Sequence, residues 1–271
     1  MDNMKQSLHL NDSVDLAVFA GQSNMSGRGT ADEAVICDPN AGFEYKAVSS
    51  PGALVPIAEP FGLNEDKPGA ITDANGDGTT KRSGSMVSPV VNEYYKLTGR
   101  QMIAVSASIG GSTSSQWKNI YINDATERLD AAKEYLEKKG VSIGRIFVVW
   151  CQGESDGDAA ATAKEYTENT KEIFRNFKQH GAEKCFLIQI GHYNYIEYAG
   201  TEDGLTGLEW DKKYEVIRNA QADLCRLEED FILAGSFEPY IDAMKDQYHY
   251  NQAAYNAVGE EVGKNIAKNL V

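Results

Sequence analysis

Residues 145–156 of the chain read Arg-Ile-Phe-Val-Val-Trp-Cys-Gln-Gly-Glu-Ser-Asp. The run Arg145–Trp150 places β-branched and aromatic side chains in succession, a pattern typical of a strand that is buried on both faces of a parallel sheet. A polar cluster follows directly, where that strand must end. Because ligands bind beyond the carboxyl ends of the strands in such sheets, this stretch predicts both the kind of fold and the location of a site.

Four other apolar runs have the length of strands, and they alternate with helical patterns. These runs are Val14–Phe19, Met102–Ala107, Cys185–Ile190 and Phe231–Ala234. The helical patterns, in which apolar residues recur every three or four positions, are Ser85–Leu97, Asp124–Lys139, Ala161–His180, Trp210–Leu227 and Asn251–Leu270. The alternation predicts an α/β fold, with a central five-stranded parallel sheet and helices on both of its faces.

The size and composition of the chain favour one domain spanning residues 1–271. Of the 271 residues, 42% are hydrophobic, 10% aromatic and 24% charged, which supplies a core and excludes extensive intrinsic disorder. One long segment, about residues 27–83, lacks clear periodicity and is rich in Gly, Pro, Asp and Asn. We interpret it as a loop-rich insertion on the active face that forms a wall for the substrate.

The formal net charge of −14 indicates which partners the chain avoids. An acidic surface repels nucleic acid phosphates and anionic lipid headgroups, so we expect neither nucleic acid nor a membrane as a partner. No apolar run approaches the roughly 20 residues that span a bilayer, and Met1–Ser13 lacks the apolar stretch of a signal peptide. These features predict a cytoplasmic protein, or a secreted or periplasmic one if the sequence has been trimmed.

Two features of the sequence bear on metal binding. The four cysteines form no Cys-x-x-Cys pair, so we expect no thiolate zinc site, and we interpret Cys151 and Cys185 as buried free thiols. The stretch Asp73–Gly78 matches the first half of a calcium-binding loop, but Gly84 stands at the twelfth position, where such a loop needs Glu. We favour a solvated turn over a calcium site and therefore predict no metal.

Serine and glycine residues follow the first two predicted strands. Ser23 lies in Gly-Gln-Ser-Asn-Met, residues 21–25, where a tight turn would expose a nucleophile; a serine that caps a helix is the alternative. After the second strand, Gly110 and Gly111 allow a sharp turn that exposes backbone N–H groups. Such groups can form half of an oxyanion hole, although an ordinary loop would also contain them.

The polar cluster after Trp150 adds two candidates. Gln152 can donate a side-chain N–H to an oxyanion, and Glu154 can orient a histidine. A polar helix start is the alternative, because the helix dipole favours a carboxylate there.

His249 is the histidine best placed to act as a base. Among the four histidines it alone has a carboxylate, Asp246, three residues upstream. That spacing lets the carboxylate reach Nδ1 and leaves Nε2 free. His9 lies near the N-terminus and His180 ends a helix, whereas His192 follows the fourth strand and is a second candidate, more typical of a rim.

The strings at residues 21–25, 110–112, 152–156 and 246–249, taken together, resemble the SGNH hydrolase superfamily. More narrowly, they look like the sialate O-acetylesterase-like branch, which includes the acetyl xylan esterases of carbohydrate esterase family 6. The resemblance covers Asp15 to about Ile266. An α/β-hydrolase fits less well, because its Gly-x-Ser-x-Gly elbow needs glycine where Met25 stands.

The resemblance implies a flavodoxin-like three-layer α/β/α sandwich and serine esterase activity without a cofactor. It also implies that Ser23 is the nucleophile and His249 the base. The acid of the triad stays open between Asp246 and Glu154. We favour Asp246, because it keeps the spacing to histidine that is usual in the superfamily.

The oxyanion hole implied by the resemblance uses the backbone of Ser23, a backbone N–H from Gly110 or Gly111, and the side chain of Gln152. The implied substrate is an acetylated carbohydrate, such as acetylxylan or acetylated sialic acid. Small non-carbohydrate acyl esters are the alternative substrates, and a non-catalytic carbohydrate-binding relative is a third interpretation. For stacking against a sugar, the sequence offers Trp117, Trp210 and Tyr193.

Overall fold

The computed structural model describes residues 9–270. Its strands, numbered in chain order, are β1 (Ser13–Gly21), β2 (Gly42–Lys46), β3 (Ala53–Pro56), β4 (Met102–Ser108), β5 (Ser142–Cys151), β6 (Lys184–Gln189), β7 (Thr201–Glu202), β8 (Leu205–Thr206) and β9 (Phe231–Ser236). Its helices are α1 (Ser23–Ser26), α2 (Val87–Thr98), α3 (Ser114–Gln116), α4 (Ile122–Lys138), α5 (Glu154–Asp158), α6 (Ala163–Gln179), α7 (Gly207–Leu227) and α8 (Gln252–Leu270).

Seven strands form the central sheet, in the order β3-β2-β4-β1-β5-β6-β9. All neighbours in it are parallel except β2 and β3. The α/β class and the parallel centre are confirmed, but the sheet has two more strands than the predicted five. Both extra strands, β2 and β3, lie in the segment 27–83 that we expected to be loop-rich. Neither shows the apolar run of a buried strand, because Glu44 and Lys46 interrupt β2 and Pro56 ends β3.

The β1 strand lies in the middle of this sheet and is buried from Val14 to its end. Ala17 and Phe19 face a core cluster that they share with α2 and α8. Leu16 and Val18 face a second cluster, which they share with α4 and α6. Because successive side chains of a strand point to opposite faces, a strand covered on both sides is apolar on both, as Leu16–Ala20 are here, whereas the buried Asp15 is paired with Arg100. The result is the expected three-layer arrangement.

A glycine ends β1 at the edge where the site lies. The parallel register brings Gly21 level with Ser108 of β4 and Cys151 of β5. Gly21 has a φ of +136°, and a Cβ at this position would lie 2.0 Å from the carbonyl oxygen of Cys151. Only glycine fits there. The loops after the three strands therefore start side by side.

Two further findings concern the membrane and thiol expectations. Among residues 9–270, no helix is long and apolar enough to cross a membrane. The prediction that Met1–Ser13 is not a signal peptide concerns mainly residues 1–8, which lie outside the described residues. Cys151 and Cys185 are buried free thiols, as predicted.

Candidate active site

A pocket of about 320 Å³ opens at the carboxyl edge of the sheet, where the loops after β1, β4 and β5 meet the turn before α8. Its lining contains five of the residues that the sequence predicts for a site: Ser23, Gly110, Gly111, Glu154 and His249. Two others, Gln152 and Asp246, do not line it. Their positions decide which roles they can have.

Ser23, His249 and Asp246 form one hydrogen-bonded chain. Ser23 Oγ lies 2.9 Å from His249 Nε2, although the two residues are 226 positions apart. His249 Nδ1 lies 2.9 Å from Asp246 Oδ2, within the roughly 3.2 Å expected for a hydrogen bond. In this geometry an imidazole can take a proton from a hydroxyl group while a carboxylate holds the ring.

The turn that carries His249 is organised by Asp246. The backbone N–H groups of Tyr248 and His249 each donate to Asp246 Oδ1 at 2.8 Å, which leaves Oδ2 for the imidazole. Burial raises the pKa of Asp246, but the hydrogen bonds from His249 and Tyr248 outweigh it and lower the pKa to about 2. The carboxylate is therefore ionised at neutral pH. The second histidine candidate, His192, pairs with Asp211 and does not line the pocket.

Glu154 is close to the imidazole but bound to a different partner. Its Oε1 accepts a hydrogen bond from Asn24 Nδ2 at 2.5 Å, and Asn24 in turn accepts one from the Tyr255 hydroxyl. Within residues 9–270, Oε2 has no partner. Burial raises the pKa of Glu154, against the opposing effects of Asn24 and His249. A carboxyl group that bonds Asn24 and not Nδ1 is poorly placed to stabilise an imidazolium.

In the structure the Gln152 side chain bonds to other residues of the site instead of facing the pocket. Its Nε2 donates to the carbonyl oxygen of Ser112 at 2.9 Å and to Asp156 Oδ2 at 2.5 Å. An amide nitrogen has two hydrogens, so both are already used. The side chain is fully buried beneath the pocket. Asp156, about one helical turn further along the chain, accepts a hydrogen bond from the amide that the sequence analysis expected to face the oxyanion.

The two glycines after β4 differ in their backbone donors. The Gly110 N–H donates to Asp73 Oδ1 at 3.2 Å, so it is occupied. Within residues 9–270, the Gly111 N–H forms no hydrogen bond, and Gly111 lines the pocket with a φ of +71°. Ser23, as the first residue of α1, has a backbone N–H without an acceptor in its own helix. Ser23 and Gly111 thus each offer an available backbone donor at the pocket.

Gln22 is a pocket residue that the sequence analysis passed over. Its Oε1 accepts hydrogen bonds from the backbone N–H groups of Gly153 and Ser155, at 3.2 and 3.3 Å. These bonds fix the amide plane and leave Nε2 as a donor without a partner among the described residues. Its position directly before Ser23 could have indicated this, because a residue adjacent to a nucleophile lies in the same turn as the nucleophile.

The segment 27–83 places a buried ion pair beside Ser23. Arg28 Nη2 lies 2.8 Å from each carboxylate oxygen of Asp73, whose side chain is only 2% exposed. Asp73 therefore points into the site rather than into the loop that follows it. In that loop Asp77 Oδ1 accepts hydrogen bonds from the backbone and hydroxyl of Thr79, as expected for a solvated turn.

EDTA treatment is expected to leave kcat unchanged. Among residues 9–270, no group of three or more His, Cys, Asp or Glu side chains is arranged to hold a metal ion. Since Asp73 is already paired with Arg28, the Asp73–Gly78 stretch lacks its first calcium ligand. The measurement is kcat before and after overnight chelation. Inactivation that calcium reverses would restore this stretch as a calcium site.

The aromatic residues at the pocket differ from those that the sequence suggested. Trp117 is fully buried and Tyr193 is 2% exposed, so neither can stack against a sugar. Lys213 Nζ lies 3.6 Å from the centre of the Trp210 ring and covers it. Tyr248 lines the pocket next to His249, with Asp158 close by in the same wall. Neither was predicted, because only the folded loops bring them to the site.

Comparison with known proteins places the chain among esterases. The profile of one family, described as carbohydrate esterase, sialic acid-specific acetylesterase, matches residues 13–268. This match confirms the resemblance stated from the motifs. No curated protein matches the chain in sequence.

Solved structures with the same fold extend over nearly the whole chain. A protein from Arabidopsis thaliana superimposes with a TM-score of 0.65 at 16% identity, over 95% of this chain and 99% of its own. NanS has a TM-score of 0.59 at 14% identity, over 96% and 97%. A carbohydrate acetylesterase from Xanthomonas citri has a TM-score of 0.53 at 17% identity, over 92% of this chain and 54% of its own. At these identities the similarity shows a shared fold.

Proposed function

The chain belongs to the family of carbohydrate esterases described as sialic acid-specific acetylesterases, and from that membership we propose that it removes O-acetyl groups from acetylated carbohydrates. As a member it is a carboxylic ester hydrolase. The observation that supports a serine mechanism is the hydrogen-bonded chain from Ser23 through His249 to Asp246.

In this mechanism Ser23 Oγ attacks the carbonyl carbon of the acetyl ester and gives its proton to His249 Nε2. The tetrahedral intermediate expels the sugar oxygen, which takes that proton from the imidazolium, and the acetyl group stays on Ser23. A water molecule, deprotonated by His249, then attacks the acetyl group, and acetate leaves. Asp246 stabilises the imidazolium in both steps and holds the ring in the correct tautomer.

The negative charge that develops on the acetyl oxygen needs donors that face Ser23. We assign this role to the backbone N–H groups of Ser23 and Gly111 and to Nε2 of Gln22. None of the three has an acceptor among the described residues. Gln152 acts below them: its hydrogen bonds to Ser112 and Asp156 hold the loops after β4 and β5 together.

Gln22→Glu is expected to lower kcat by about 10²-fold with little change in KM, the size found when one oxyanion donor is lost. Glutamate keeps an oxygen that accepts from Gly153 and Ser155. It replaces the Nε2 donor with a second oxygen, which would repel the oxyanion. Steady-state kinetics on 4-nitrophenyl acetate measure the effect. If KM rises instead while kcat is kept, Gln22 contacts the substrate and not the oxyanion.

The pocket lining also offers groups for a sugar. Tyr248 presents an aromatic ring, and Asp158, which is held by the Tyr214 hydroxyl at 2.7 Å, presents a carboxylate that can accept from sugar hydroxyls. Arg28 and Lys81 also line the pocket. Since the segment 27–83 supplies both of them, we propose that residues 1–271 act as a single catalytic domain.

Acetate release from acetylated xylan, acetylated sialic acid and acetylated monosaccharides tests this function. We expect acetate from at least one of these sugars, and faster hydrolysis of 4-nitrophenyl acetate than of the butyrate. Faster hydrolysis of butyrate, with no acetate from any sugar, would support small non-carbohydrate esters as the substrates. An inactive protein that still binds these sugars would contradict the proposal.

A further inference from the structure

Asp73 connects two parts of the chain that meet at Ser23. Its carboxylate accepts from Arg28 Nη2 with both oxygens at 2.8 Å, and Oδ1 also accepts the backbone N–H of Gly110 at 3.2 Å. Arg28 lies two residues beyond the end of α1, the helix that begins with Ser23. Gly110 directly precedes Gly111. One carboxylate therefore joins the segment after the nucleophile to the glycine turn after β4.

Hydrogen bonds of its own backbone also hold Asp73 in place, in addition to those of its carboxylate at the site. Its backbone N–H donates to Asp66 Oδ1 at 2.6 Å, and its carbonyl oxygen accepts from the Lys81 N–H at 2.7 Å. Asp66 also lies 3.3 Å from Arg82, whose side chain is fully buried. A buried charge costs free energy unless it is paired and hydrogen-bonded, and Asp73 satisfies both conditions. The carboxylate is thus a fixed part of the site.

We propose that Asp73 is a positioning residue that, together with Arg28, sets the distance between the backbone donors of Ser23 and Gly111. This inference rests on the proposed function, in which the N–H groups of Ser23 and Gly111 bind the oxyanion. By accepting the Gly110 N–H, Asp73 fixes the orientation of the glycine turn, so the next N–H, that of Gly111, is left for the substrate. Donors that are fixed before the reaction need no reorganisation when the charge develops, which is the source of their effect on rate.

Direct recognition of the sugar is a poorer role for this carboxylate. Both oxygens are engaged by Arg28, and the side chain is 2% exposed. With three hydrogen bonds already accepted and the side chain buried, little access is left for a hydroxyl group. Hydrolysis of 4-nitrophenyl acetate separates the two roles, because that substrate carries an acetyl ester and no sugar.

The test compares Asp73→Ala with Asp77→Ala, using the full chain and 4-nitrophenyl acetate. Both variants remove one carboxylate from the same loop, but Asp77 is exposed and, among residues 9–270, its side chain bonds only to Thr79. We expect Asp73→Ala to lower kcat by about tenfold to a hundredfold, less than the loss of a whole donor, with KM within about threefold of wild type. Asp77→Ala should keep both constants.

Asp73→Asn provides the conservative comparison and a variant of the same size, in case the alanine variant does not fold. Asparagine keeps an oxygen that can accept the Gly110 N–H but loses the charge that pairs with Arg28. Its kcat should be about threefold to tenfold below wild type, and so above that of Asp73→Ala. Adding Arg28→Met to Asp73→Ala should cost little more, because residues that act through one shared contact are not additive.

Three results would overturn the inference: an Asp73→Ala kcat at or above the wild-type value, a change confined to KM, or an Asp73→Asn kcat equal to that of wild type. Ser23→Ala, measured beside these variants, separates this failure from a failure of the proposed function. If Ser23→Ala is inactive while the Asp73 variants keep the wild-type kcat, only the positioning role is lost. If Ser23→Ala remains active, the serine mechanism itself is wrong.

Discussion

Ser23→Ala is expected to abolish esterase activity while the protein stays folded. Loss of the nucleophile should reduce kcat by roughly 10⁴–10⁶-fold, the range found when a serine of such a triad is removed. The Ser23 hydroxyl bonds only to His249 Nε2 among the described residues, so its removal should change the free energy of unfolding by only about 1 kcal/mol. Kinetics on 4-nitrophenyl acetate and a thermal unfolding curve measure the two effects.

Ser26→Ala is the matched control for this variant. Ser26 lies in the same short helix, but its hydroxyl bonds to Ser108 Oγ and to the carbonyl oxygen of Gln22 and not to His249. We expect its kcat to stay within about tenfold of wild type, a change in the barrier of no more than about 1.4 kcal/mol. Ser23→Ala with activity in that same range would remove Ser23 from the mechanism.

The second large effect distinguishes the two carboxyl groups near His249. Asp246→Asn should lower kcat/KM by roughly 10²–10⁴-fold, because the asparagine amide no longer stabilises the imidazolium or selects its tautomer. Glu154→Gln should cost about tenfold or less. Glu154 does not bond Nδ1, and a glutamine oxygen at this position can still accept from Asn24.

The same two variants can contradict this assignment. A larger loss for Glu154→Gln than for Asp246→Asn would mean that the acid comes from the loop after β5. If both variants keep partial activity and the double variant loses far more, the two carboxyl groups share the imidazole. The measurement in each case is kcat/KM on 4-nitrophenyl acetate, with thermal unfolding to show that the variants are folded.

Much of the architecture could be predicted because it depends on local patterns. Strand residues that are covered on both faces of a sheet are mostly apolar, so the apolar runs Leu16–Ala20 and Phe147–Trp150 indicate that they are buried on both faces. The helices show the apolar spacing of one buried side. Parallel strands then bring their carboxyl ends to one edge, which is why Ser23, Gly110 and Glu154 could be expected in one place. The Asp-x-x-His spacing is also local, since Asp246 and His249 share a single turn.

The strands β2 and β3 show where this reasoning stops. They pair at the edge of the sheet. Glu44 and Lys46 interrupt the apolar residues of β2 and Pro56 ends β3, so neither shows the apolar run of a buried strand. Their conformation depends on the edge of β4, to which β2 adds in parallel register. A segment that becomes a strand only by pairing with a neighbouring strand shows little of this in its own sequence.

The sequence by itself determined the α/β class, the active edge of the sheet, and the serine, histidine and aspartate that meet there. Only the tertiary structure decided that Gln152 bonds to Ser112 and Asp156 while Gln22 keeps a free donor at the pocket, and that Asp73 reaches Gly110. The physical reason is that an amide or carboxylate in a loop can satisfy its hydrogen bonds with many partners. The choice among them depends on which groups the fold brings within about 3 Å, and those groups come from segments distant in the chain.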